Sequence, residues 1–159
     1  MSEVKSSPRG LRPLDHDPRP TPYHEWDLAS LSFRLSAGAL ERAQADRCAE
    51  ADRERERRGH LPVVYAGALF DADERAQRNV AAWQTQLAGG AALPDGFVWR
   101  DAANADHPAG PAFVNGLGVA ITLRGTLLYR AAWAHKSAIN ALTDFDAVMA
   151  YDLTGGWPE

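Results

Sequence analysis

From Ala112 to Leu142 apolar residues return at spacings of three, four or their sum, seven, at Val114, Leu117, Ile121, Leu128, Ala131, Ala138 and Leu142. That period is the mark of a helix burying one stripe. About 30 residues at 1.5 Å each predict a rod of roughly 45 Å if it runs unbroken. Gly116, Gly118 and Gly125 lie inside it. Each costs a helix about 1 kcal/mol relative to Ala, so a kink or early break stays open as an alternative. Arg124 and His135 interrupt the stripe and read as a snorkelling or internally satisfied side chain rather than as ligands.

The rest of the chain supplies shorter elements. A helix is expected from near Ser36 to Arg58, stopped by Gly59. Its apolar positions, Ala39, Leu40, Ala43 and Ala51, are few and small. It therefore lies on the surface or packs against a copy of itself. In "LPVVYAGALF" the β-formers Val63, Val64 and Tyr65 precede Gly67, Leu69 and Phe70, predicting a tight hairpin. Asp71 stands three residues before Glu74, a helix-opening arrangement. Ala76, Val80, Trp83 and Leu87 share one face of the helix that follows, and Gly89–Gly90 end it, so Trp83 reads as core. A second capping arrangement, Thr143 to Asp146, opens a terminal helix through Tyr151. Residues 1–27, with prolines at 8, 13, 18, 20 and 22, read as an extended arm without a core of its own, held in place by a partner chain. The expected fold is α+β and mostly helical. Its parts are the arm (1–27), an amphiphilic lead-in with a charged helix (28–58), and a small α+β domain (59–159).

Composition narrows the function classes. The chain has 159 residues and a net charge of −4, against the basic excess that nucleic-acid binding requires. Even the densest charged stretch, residues 41–58, sets six acids against six arginines. It reads as a solvated, salt-laced helix. No run of about 18 apolar residues and no signal-like N-terminus is present, so a soluble chain outside the secretory route is expected. Cys48 is the single cysteine, which excludes an internal disulfide. None of the five histidines lies three or four residues from another, and there is no G-x-S-x-G turn or phosphate-cradling glycine loop. No enzyme, cofactor or metal site is expected.

The stretch "FVWRDAANADHPAGPAF", residues 97–113, concentrates Trp, Arg, Asp, Asn and His. It reads as a structural joint. Trp99 plugs the space between a strand and the long helix, Arg100 and Asp101 form a local ion pair, and Asn104 makes a side-chain-to-backbone turn. Pro108 and Pro111 fix the entry to the helix.

Taken in order, the charged helix, "GHLPVVYAGALFDAD", "ERAQRNVAAWQ", "FVWRDAANADHP" and a long helix ending "AAWAHKSAINALTDFDAVMAYD" resemble the DUF4376 family of bacteriophage tail proteins over about residues 40–152. The family's central motif looks like W-x-x-x-D-N. Trp99 and Asn104 match it, while Ala103 stands where the Asp would be. The resemblance implies a non-enzymatic virion protein of the tail, made in the host cytoplasm. Its implied partners are other tail, fibre or baseplate proteins and further copies of itself in a symmetric assembly, with neither nucleic acid nor membrane. An assembly chaperone absent from the mature virion is the alternative. Candidate partner-binding residues are Pro18, Pro20, Tyr23, Trp26, Leu28, Leu31 and Phe33. Trp83, Trp99, Arg100, Asp101 and Asn104 are the candidate structural motif.

Overall fold

The computed structural model describes residues 20–158, so Pro18 lies outside the described residues. Among the described residues ten elements follow one another: β1 (His24–Asp27), β2 (Ser32–Leu35), α1 (Ala39–Gly59), β3 (Val63–Tyr65), β4 (Ala68–Phe70), α2 (Glu74–Ala88), β5 (Val98–Arg100), β6 (Asp106–Pro108), α3 (Pro111–Ala141) and α4 (Phe145–Met149). The fold is mostly helical α+β, with the strands in three separate antiparallel hairpins.

The periodic segment forms one unbroken helix of 31 residues, α3. Packing offsets the cost of two of its glycines. A Cβ at Gly116 would sit 2.7 Å from Tyr65 Cζ, and one at Gly118 2.7 Å from the Gln84 amide carbon. Both distances are closer than real side chains tolerate. At these two positions the missing side chain lets Tyr65, from β3, and Gln84, from α2, cross the helix at close range. Gly125 has open space around it.

Two apolar clusters form along α3. The first gathers Val63, Phe70, Ala72, Val80 and Leu117, with Tyr65, Trp99 and Phe113 at its edge. The second gathers Ala39, Ala43, Ile139, Phe145 and Val148, flanked by Tyr23, Leu142 and Tyr151. Between them α1 runs antiparallel to α3. Gln44 donates to the Leu142 carbonyl at 2.9 Å, Lys136 to Asp52 at 2.9 Å, and the Arg55 guanidinium lies 4.4 Å over the Tyr129 ring. Near the end of α1, Arg124 donates to the carbonyls of Arg58, Leu61 and Pro62. Arg124 is thereby a C-terminal cap for α1 rather than a snorkelling side chain. His135 is buried and satisfied in part. Its Nδ1 pairs with the Tyr151 hydroxyl at 3.0 Å, while Nε2 has no partner.

Several expectations are corrected. Residues 24–35 form the β1–β2 hairpin, whose first strand takes up the last four positions of the stretch read as an arm. Trp26 and Phe33 face each other across it, ring centroids 5.1 Å apart. Helix α1 begins at Ala39, three residues later than expected, because Gly38 takes a left-handed φ of 71° that starts the turn. Asp73, not Asp71, caps α2, accepting from the Ala76 N–H at 2.8 Å. Asp144, not Thr143, caps α4 through the Ala147 N–H at 2.8 Å. Each capping residue directly precedes its first helical residue, where the carboxylate reaches the free N–H groups. Trp83 is half-buried at the rim rather than in the core, edge-on to Phe97 at 5.1 Å.

Candidate interaction site

The candidate joint is the β5–β6 hairpin. Register sets Arg100 opposite Asp106 and Trp99 opposite His107. The ion pair is accordingly Arg100–Asp106 at 2.8 Å, not Arg100–Asp101. Asp101 instead organises the turn. Its carboxylate accepts from the N–H groups of Ala103 at 2.9 Å and Ala105 at 2.8 Å and pairs with His107 Nε2 at 2.8 Å. The His107 bond first, then the backbone bonds, holds the Asp101 carboxyl below the usual aspartate range. The side-chain-to-backbone turn thus belongs to Asp101, while Asn104 contributes a left-handed φ of 64°, a conformation asparagine tolerates. The His107 ring then packs on Phe70 at 5.1 Å, which ties the hairpin to the first apolar cluster. Trp99 is half-buried, with Phe97 at 6.1 Å. Every polar group of this motif that carries a contact is spent on the fold.

The candidate partner-binding residues divide. Tyr23 turns inward. Its hydroxyl donates to Asp46 at 2.7 Å, which raises its pKa, and its ring meets Phe145 edge-on at 5.5 Å. Trp26 and Phe33 serve the cross-strand pair and are half-buried. Leu28 and Leu31 are exposed at the tip of the hairpin, and Pro20 is exposed beyond its start.

An open groove of about 600 Å³ lies between the end of α1, α2 and the middle of α3, lined by residues such as Arg55, Gln77, Gln84, Arg124 and Tyr129. Its two arginines are committed, Arg124 to carbonyls and Arg55 to the Tyr129 face. Among the described residues no three His, Cys, Asp or Glu side chains cluster as a metal site. Burial raises the Cys48 thiol, which makes it a poor nucleophile.

The surface that stands out is on α3. Opposite its core stripe, Val119, Leu123, Leu127 and Trp133 are 63%, 57%, 37% and 62% exposed. Helix α3 is long and apolar enough, by length and composition, to cross a membrane, yet only 22% of its most apolar 18-residue window is buried. This outer strip is absent from the sequence-derived candidates, because the residues there form a second apolar stripe on the face opposite the core one. The signal was available in a helix apolar on more than one face.

The profile of a domain of unknown function, DUF4376, matches residues 42–154. The chain belongs to the DUF4376 family. The matched region of this DUF4376 chain runs from α1 through α4 and takes in both the β5–β6 joint and the outer strip of α3, while the β1–β2 hairpin and Trp157 fall outside it. No curated protein and no solved structure matches the chain.

Proposed function

We propose that this DUF4376 chain is a non-enzymatic structural protein of a bacteriophage tail, associated with the fibre or baseplate, which binds neighbouring tail proteins through its helices and its N-terminal segment. The single observation that carries the interaction part is the outer strip of α3, with Val119, Leu123, Leu127 and Trp133 in water on a helix whose other face is packed. Fully burying a side chain of this size stabilises by about 1.5–3 kcal/mol, so a partner covering the strip gains several kcal/mol. Patches of this kind on a soluble chain mark interaction surfaces. The exposed Leu28 and Leu31 at the β1–β2 tip offer a second, smaller contact. Assignment to a phage tail rests on the sequence resemblance, carried by the "GHLPVVYAGALFDAD" and "FVWRDAANADHP" segments.

Quantitative mass spectrometry of purified particles made by the genome that encodes this chain tests the reading. It predicts a fixed copy number per particle. Absence from mature particles, together with fibres that fail to fold when the chain is deleted, would instead make it an assembly chaperone.

A further inference from the structure

The outer strip of α3 has a symmetry of its own. Val119 and Trp133 lie seven residues on either side of Thr126, while Leu123 and Leu127 are centred one residue earlier, on Gly125. We propose that the strip is covered by the strip of a second copy of this chain, the two α3 helices packing antiparallel about a two-fold axis level with Thr126. This rests on the reading of that face as an interface and names what covers it.

In that arrangement Val119 meets the second copy's Trp133, and Leu123 meets the second copy's Leu127, so small side chains face large ones and each contact occurs twice. Charge selects the antiparallel sense. Helix α3 contains no acidic residue. Of its full charges, Arg124 is bound to carbonyls and Lys136 to Asp52, leaving Arg130 exposed beside the strip with no ion pair among the described residues. Parallel, in-register packing stacks the two Arg130 side chains against each other. The antiparallel pair sets them about eight residues apart along the axis, roughly 12 Å.

Thr126, at the centre of the strip, accepts burial. The Thr126 hydroxyl already donates to the Thr122 carbonyl at 3.0 Å, so covering it strands no donor. A stable pair buries about 800 Å² per partner, so Thr122, Thr126 and Ala134, exposed alongside the four apolar side chains, are covered with them. A bilayer is a poorer match for the same strip, because the ion-paired α1, with Glu54 bound to Arg57 and Arg58, packs along another side of α3 and does not enter hydrocarbon.

Sedimentation velocity of the full chain over a concentration series tests the pair, alongside Leu123→Glu/Leu127→Glu, with circular dichroism to confirm retained helix. The expected result is a two-copy species for the native chain and a folded monomer for the double variant. In a Cys48→Ser background, Val119→Cys mixed with Trp133→Cys should give a disulfide-linked pair, and Val119→Cys alone should not. A native chain that stays monomeric throughout, a pair indifferent to the two glutamates, or self-linking of Val119→Cys would each overturn the proposal. If the chain is monomeric but the glutamates remove it from assembled particles, the second copy fails as occupant and the interface reading stands.

Discussion

Three glycines on one helix carry opposite consequences. Gly116 and Gly118 sit under Tyr65 and Gln84, and their lack of a side chain lets β3 and α2 approach α3. Gly125 has nothing within 4 Å of where its Cβ would be. Gly125→Ala therefore recovers the helix propensity alone, about 1 kcal/mol, and should raise the melting temperature by roughly 2–4 °C. Gly116→Ala gains the same propensity but must displace the Tyr65 ring, and overpacking of this kind costs about 1–3 kcal/mol. Its melting temperature should fall. Thermal denaturation of the two variants side by side decides the matter, and equal shifts would contradict the packing described. The sequence shows three glycines in a helical stripe and their cost, but not which two are filled, because the filling side chains come from residues 51 and 34 positions upstream.

At the scale of elements, the β5–β6 hairpin illustrates what local pattern hides. Trp99, Arg100, Asp101 and Asn104 stand together in the sequence, yet the pairing among them was not legible. Arg100 reaches Asp106 rather than its neighbour Asp101 because antiparallel register puts positions 100 and 106 across from one another. Helix caps show a similar limit. Asp71 and Asp73 are equivalent as residue types, and only the place where the helix begins chooses Asp73. The β1–β2 hairpin was missed because prolines just upstream suggested an extended arm; it is held by the Trp26–Phe33 contact across strands and by Asp27, whose carboxylate accepts from the Ala29 N–H and the Ser30 hydroxyl in the turn. The hairpin turn also has a pH dependence of known sign. The Asp101 carboxyl is held below the ordinary aspartate value of 3.8, so its stabilising bonds are fully present above that value and are lost as pH falls through the lower folded value. Asp101→Asn should melt below the native chain at neutral pH, with the gap narrowing in acid below 3.8. A gap that stays constant across the acid range would contradict the role given to this carboxylate.

On the scale of the whole molecule, α3 serves as a spine with one apolar cluster near each end, the first around Leu117 and the second around Ile139. The length of that spine was readable from period alone. Its second apolar stripe was less so, since a spacing rule assigns apolar residues to the core and does not report which ones the remaining chain is too small to cover. Helices α1 and α2 pack on two sides of α3, and the strip from Val119 to Trp133 is left over. The central claim is that this leftover strip is covered by a second copy of the chain rather than left as free surface. Hydroxyl-radical footprinting of the full chain over a concentration series tests it most directly. The account predicts that Val119, Leu123, Leu127 and Trp133 become protected together as concentration rises, while Leu28 and Leu31 at the hairpin tip stay reactive. Unchanged reactivity of those four side chains at every concentration would contradict it.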